Sequence, residues 1–155
     1  MKPIQEAITG KNFTKCEDES CQKYAALSQF YKAFNTGDIQ LMEVNWQNHE
    51  NIAMDNPLGG IKRGWVEIKS VYERIFNGLA QVYVEFWDFT IIEMDGGFTA
   101  VGRERGFVNL NGSKLDLKIR TSRVFKLING EYKQVHHHGS IEYPELLKEY
   151  QELVK

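Results

Sequence analysis

Arg123 is the residue whose surroundings most need a chemical explanation. Strand alternation places it on one face with Leu117, Ile119, Thr121, Phe125 and Leu127, a guanidinium among mostly apolar side chains. A lone buried charge costs several kcal/mol, so something anionic or well oriented must meet it. On the preceding segment Arg103 alternates with Val101, Arg105 and Phe107, and its offset from Asn111-Gly112 is close to that of Arg123. Paired through that turn, the two arginines would share one surface and make a pocket for a carboxylate or enolate. Ion pairs with Glu85, Glu104 or Asp116 would instead make them structural. In His136-His137-His138, alternation sends His137 to the side of Val135 and its neighbours to the other, so the three cannot form one metal cluster. No third ligand stands at useful spacing for His136 and His138, and no metal or other cofactor is expected. Beside the arginines, His137 could relay a proton near neutral pH, or it could be a satisfied core residue. Asn56-Pro57 offers an amide, which cannot act as a general base, and Asp55 is the adjacent carboxylate, one strand step away and so on the opposite face. Cys16 and Cys21 form a lone pair with no partners for zinc, in a chain large enough not to need a disulfide.

These residues need elements to hold them. Thr14 and Glu17 have capping-box spacing, and Tyr24, Leu27, Tyr31 and Phe34 then line one helix face up to Gly37. Asp38 can cap a short second helix through Ile39, Met42 and Trp46. Residues 51–56 alternate as a short strand, and a third helix follows Gly64 with Trp65, Ile68, Tyr72 and Ile75 on one side. From about residue 81 the period is two, broken by Asp95-Gly96, Asn111-Gly112 and Asn129-Gly130 at intervals of 16 and 18 residues. Such dipeptides favour tight hairpins, so four long antiparallel strands are expected. Strands of that length twist and curl, and three N-terminal helices would cover the concave face. The fold class is α+β: a cone-shaped half-barrel of three N-terminal helices on a curved, mostly antiparallel sheet. Residues 1–13, with Pro3, Gly10 and no apolar period, read as a mobile or loosely docked leader, dispensable for the fold; residues 14–155 read as a single domain.

Gln29-Phe30-Tyr31-Lys32-Ala33-Phe34-Asn35-Thr36-Gly37-Asp38, Asn56-Pro57-Leu58-Gly59-Gly60 with Gly64, and Arg123-Val124-Phe125 leading to Val135-His136-His137-His138-Gly139-Ser140 resemble the SnoaL-like branch of the nuclear-transport-factor-2-like superfamily, over residues 22–142. The resemblance implies the cone-shaped fold and leaves function open among isomerases, cyclases, dehydratases, binding modules and assembly domains. Relative to ketosteroid isomerase-like members, Asn56 replaces the aspartate base, Phe30 the helix-one tyrosine, and Thr121-Ser122-Arg123 the strand-borne acid. Inward acids would then be limited to Glu85 or Asp88. The chain is also similar to the association domain of calcium/calmodulin-dependent kinase II, whose pocket arginines match Arg103 and Arg123 while a further one falls on Gly139.

Nineteen Lys and Arg against twenty-one Asp and Glu give a formal charge of -2, which offers no track for nucleic acid. No apolar run is long enough for a membrane-spanning helix, and Pro3 and Glu6 interrupt any signal-like stretch, so a cytoplasmic location is expected. These observations point to a small-molecule-binding domain with an internal apolar and basic pocket, taking an anionic or carbonyl-bearing organic ligand. Met54, Asn56, Arg103, Arg123 and His137 would line it, with Tyr31, Trp46 and Tyr72 as walls. A homodimer through the sheet is expected because one whole side of it would otherwise face water. Two alternatives stand beside this reading. One is a lyase or isomerase acting next to a carbonyl, with the arginines holding an oxyanion and His137, or Asp55, moving the proton. The other is a non-catalytic oligomerisation module whose arginines are paired with carboxylates.

Overall fold

The period-two region forms four antiparallel strands, β3 (Gln81–Met94), β4 (Gly97–Leu110), β5 (Ser113–Ile128) and β6 (Glu131–Ile141), in a computed structural model that describes residues 2–155. Each hairpin turns on its expected dipeptide, and Asn111, Asn129 and all three turn glycines take positive φ, where Asn and Gly are least strained. A short strand β1 (Ala53–Asp55) runs parallel to β6, and β2 (Ile61–Arg63) pairs with β1, giving the order β2-β1-β6-β5-β4-β3. Helices α1 (Glu19–Thr36), α2 (Ile39–Asn45) and α3 (Gly64–Asn77) cover the inner face. The core lies between, built from Leu27, Phe30, Tyr31, Met42, Trp46 and Tyr72 on the helical side and Phe86, Phe98, Leu117 and Phe125 on the sheet. Among the described residues no helix is long and apolar enough to cross a membrane.

Four features depart from the sequence expectations. The N-cap of α1 is Asp18, whose carboxylate accepts from the Ser20 and Cys21 amides, in place of the Thr14 capping box. Cys16 and Cys21 are joined in a disulfide that closes a small loop around this cap. The segment expected to be a loose leader lies along β3: Ile4 and Ile8 exchange backbone hydrogen bonds with Phe89 and Phe86, and Ile8 is fully buried. A fourth helix, α4 (Pro144–Leu153), follows β6, started by Pro144 at a position where its missing N–H costs nothing.

Two β-bulges reset the alternation that sequence reading extrapolates. In β3 the register shifts between Trp87 and Thr90, with Asp88 at φ 49°. Phe86 and Phe89 therefore both enter the core, and Trp87 stays outside beneath Arg105. In β6 the shift falls at Val135, so Gln134 and His137 both point inward.

The inner face of β4 reads Phe98, Ala100, Gly102, Glu104, Gly106, Val108. The glycines flanking Glu104 leave room for β3 to approach: a Cβ at Gly102 would meet Phe89, and one at Gly106 would run into the Tyr83 carbonyl oxygen. Because a backbone oxygen cannot rotate aside, Gly106→Ala is expected to cost about 3 kcal/mol, the upper end for overpacking, seen as a lower urea midpoint with unchanged slope. An unshifted midpoint would show that the sheet has slack at this position.

Candidate functional site

Register sets Met54, His137 and Arg123 in one row across β1, β6 and β5, and puts Glu104 of β4 opposite Ile119, two inward positions from Arg123. The long Arg123 side chain bridges that gap. Its Nη2 donates to Glu104 Oε1 at 2.7 Å, its Nη1 to Gln134 Oε1 at 2.8 Å and its Nε to the Tyr31 hydroxyl at 3.1 Å. Tyr31 in turn donates to Glu104 Oε1 at 2.7 Å, and Gln134 Nε2 donates to Asn45 Oδ1 at 3.0 Å. The guanidinium also lies 3.5 Å over the Phe30 ring. Burial works against the charge of Arg123, but Tyr31 and Glu104 outweigh it and raise its pKa. The Tyr31 phenol is pushed well up, first by burial and also by Glu104, while burial lifts Tyr72 to about 12.

His137 Nδ1 sits 3.2 Å from the Ser122 carbonyl oxygen. A carbonyl only accepts, so Nδ1 carries the proton and Nε2 is left as an acceptor. Burial, and then Arg123, hold this imidazole well below its ordinary value, so it is neutral near pH 7.

Between these groups is a cavity of about 40 Å³, bounded by Asn56, Tyr72, Glu104, Arg123, His137 and Tyr150 and by apolar side chains such as Phe30, Leu58 and Ile75. It has room for about two or three waters. Both hydrogen bonds to Glu104 fall on Oε1, and among the described residues nothing donates to Oε2. Asn56 uses its Oδ1 to accept from the Leu58 amide, which leaves its NH₂ unused. The cavity thus gathers two unmet acceptors, Glu104 Oε2 and His137 Nε2, and two unmet donors, the Asn56 NH₂ and the Tyr150 hydroxyl.

Of the residues expected to line a pocket, Met54, Asn56, Tyr72, Arg123 and His137 come together here. Tyr31 and Trp46 are buried behind the wall: Tyr31 orients Glu104, whereas the Trp46 indole N–H has no partner among the described residues. Arg103 is excluded. It lies on the outer face, paired with Asp88 at 3.2 Å and with Glu142, because the small residues of β4 face inward and its arginines outward. The two-arginine anion pocket does not form, and the charge of Arg123 is matched by Glu104. Asp55 also faces outward, 2.7 Å from His138 Nδ1, and is removed from the cavity chemistry. Glu85 and Asp88, expected as possible inward acids, pair with Arg105 and Arg103 outside. The inward acid is Glu104. Its signal in the sequence was the flanking glycine pair, and Tyr150 was signalled by the apolar spacing Leu146, Leu147, Tyr150, Leu153 after Pro144. Gly139 has no room for an arginine, since its Cβ would lie 2.8 Å from Pro57 Cγ and 3.1 Å from His137 Nε2. Among the described residues no three metal-ligating side chains converge.

A family model for the SnoaL-like domain matches residues 24–144. The chain belongs to that family. Its fold is shared with solved structures of low identity. A protein named as a calcium/calmodulin-dependent protein kinase II association domain, from Xanthomonas campestris, is 17% identical with a TM-score of 0.69, over 83% of this chain and 91% of its own. A nuclear transport factor 2-like superfamily protein from Salmonella enterica is 17% identical with a TM-score of 0.70, over 81% and 90%. A protein named as a dehydratase of the same family, from Streptomyces avermitilis, is 16% identical with a TM-score of 0.67, over 77% and 93%. No curated protein matches the sequence. Within this SnoaL-like domain the cavity occupies the wide space between α1, α3 and the central strands, and what it holds is decided by the residues described above.

The neutral state of His137 predicts a pH dependence. Its folded pKa is depressed below the unfolded value of about 6.5, so the unfolded chain binds the extra proton first. Its contribution to stability is complete above pH 6.5 and is lost as pH falls from there toward the depressed value, by at most about 1.4 kcal/mol per pH unit. His137→Asn keeps a donor for the Ser122 carbonyl and should flatten that slope. Equal slopes in urea titrations from pH 7 to 5 would count against a buried neutral imidazole.

Proposed function

We propose that this SnoaL-like domain binds a small, neutral organic ligand in the inner cavity, through a hydroxyl offered to Glu104 Oε2 and His137 Nε2. The observation that carries this reading is that two buried residues lining one apolar chamber, Glu104 and His137, each keep an acceptor with no hydrogen-bond partner among the described residues. Buried polar groups are normally satisfied, and a chamber that leaves two acceptors open is complementary to a donor. The Asn56 NH₂ supplies a donor for a carbonyl or second hydroxyl on the same ligand. An anion is disfavoured because Glu104 already matches Arg123 and its free oxygen would repel a carboxylate. The lyase or isomerase alternative loses its oxyanion clamp with Arg103, and His137, held neutral, is a weak proton carrier.

Cyclohexanol and cyclohexanecarboxylate, of similar shape, separate these cases in a thermal-shift titration. The alcohol should raise the melting temperature and the carboxylate should not. His137→Asn, which removes the Nε2 acceptor, should weaken alcohol binding about tenfold, the worth of one good hydrogen bond. Equal response to both compounds would reject the reading.

A second reading is favoured by one observation. The buried Arg123–Glu104 pair, with Gln134 and Asn45, ties the sheet to α1 and α2, as an assembly module would use it. The outer face of the sheet carries Tyr83, Trp87 and Phe107 beside Arg103 and Arg105, a surface suited to a second copy of the chain. A cytoplasmic homodimer that uses this face and still holds a ligand inside is compatible with both readings. Light scattering at micromolar concentration tests the dimer.

A further inference from the structure

The cavity is far smaller than the roughly 300–1,000 Å³ of ordinary ligand sites. What fills the remaining space is informative. Tyr150 of α4 is buried and lines the chamber together with Leu58, Ile75 and Glu104. Among the described residues its hydroxyl has no hydrogen-bond partner, although burial and the nearby Glu104 both raise its pKa and so keep it a neutral donor. The helix carrying it is lightly held. Its N-cap, Tyr143, makes no side-chain capping bond, Tyr150 is its one buried residue, and Leu153 of its last turn packs half-buried against the core. Its side-chain hydrogen bond to the rest of the fold is from Gln151 Nε2 to the Leu58 carbonyl, at 2.8 Å. A phenol ring on a weakly anchored amphipathic helix thus lines a chamber that holds two open acceptors for a hydroxyl.

We infer that α4 is a lid whose Tyr150 occupies the ligand's place, and that the ligand is a phenol or similarly flat hydroxylated ring that enters only when Tyr150 leaves. This deepens the proposed binding function and rests on it. A ring of this shape displaces Tyr150 with little loss of packing, because one phenol replaces another. The lid also makes the binding-competent state a minor one, which lowers apparent affinity by the fraction of time Tyr150 is out. Between ligands the helix shields Glu104 and His137 from bulk water, and binding releases α4 to a new position. Ligand occupancy is thereby readable from outside the domain.

The test uses the full chain and 4-methylphenol, the side-chain fragment of tyrosine itself, with toluene as the ring lacking the hydroxyl. In wild type, saturating 4-methylphenol should speed amide hydrogen exchange of residues 144–153 several-fold while that of β5 is unchanged. Tyr150→Ala should bind 4-methylphenol at least about tenfold more tightly than wild type, as expected if Tyr150 is displaced for about a tenth of the time or less. It should also prefer 4-methylphenol to toluene. If 4-methylphenol binds wild type and Tyr150→Ala equally and leaves α4 exchange unmoved, the lid is overturned and the binding site stands. If Tyr150→Ala, folded by the exchange of β5, binds neither ring, or both equally, the hydroxyl site itself is overturned together with the lid.

Discussion

Arg123→Met will destabilise this domain by about 3–5 kcal/mol, the cost of removing one partner from a buried ion pair. Methionine fills much of the arginine volume, so packing is not the main loss. What remains is Glu104, 4% exposed, with a carboxylate that keeps one hydrogen bond, from Tyr31, and no counter-charge. Gln134 loses its donor as well. The double variant Arg123→Met with Glu104→Met removes both charges and should recover most of the loss, since apolar replacement of a whole buried pair is often neutral. Urea unfolding of the four proteins of this cycle gives the coupling directly. A single Arg123→Met variant as stable as wild type would mean that Glu104 is not held by Arg123 and that the cavity's electrostatics are wrongly assigned. The same cycle distinguishes two roles that sequence alone leaves open, because an arginine reserved for an anionic ligand would be a burden to the empty fold and its removal would stabilise it.

The architecture was legible wherever local rules act without interference. The Asp-Gly and Asn-Gly turns require a backbone that few other residues adopt cheaply, and so located three hairpins to the residue. Gly37 and Asp38 marked a helix end and a helix start because one supplies the left-handed cap and the other a carboxylate for the Leu41 amide. Arg123 was found on the inner face because β5 keeps strict alternation there. β4 misled for a physical reason: in its middle stretch the outer face carries Val101 and Phe107 while the inner face carries Gly102 and Gly106 around Glu104, so between residues 101 and 107 the large apolar side chains are the outward ones. Curvature, which needs small residues inside, overrode the usual pattern. Arg103 was therefore placed inward, and Glu104, named as a possible ion-pair partner of the arginines and found paired with Arg123, was not recognised as the inward acid of the chamber.

Bulges were the second source of error, since one inserted residue inverts every later assignment on a strand. His137 kept its inward place only because the Val135 bulge lies before it; Gln134 gained an inward place by the same bulge and completes the arginine's hydrogen bonds. The C-terminal helix shows a different limit. Its apolar spacing is plain in the sequence, but that Tyr150 points into the chamber follows from where β6 ends, and that depends on the packing of the whole sheet.

Removing residues 2–12 should cost about 3–5 kcal/mol and make the domain self-associate, contrary to the sequence expectation that the leader is dispensable. β3 is the last strand of the sheet, and its outer edge would present unpaired N–H and C=O groups. The leader satisfies four of them: Ile4 N to Phe89 O at 2.7 Å, Ile8 N to Phe86 O at 2.7 Å, and the two return bonds at 3.1 and 3.0 Å. Ile8 is fully buried in the core, and truncating one such side chain to alanine typically costs about 2–5 kcal/mol. Polar ties hold the segment beyond it, with Asn12 Nδ2 donating to the Ala7 carbonyl at 2.7 Å and Asn35 Nδ2 to the Thr9 carbonyl at 3.2 Å. Gly10 is pressed so closely on α1 that a Cβ there would meet the Lys32 backbone. Ile8→Ala separates the two effects, because it loses the buried side chain and keeps the backbone bonds. It should lower the urea midpoint while the light-scattering mass stays that of wild type. The deletion should lower the midpoint further and add a concentration-dependent rise in mass, since an uncovered edge pairs with whatever strand it meets. A deletion variant with the midpoint and mass of wild type would show that the bonds to β3 contribute nothing, and that water replaces the leader without loss.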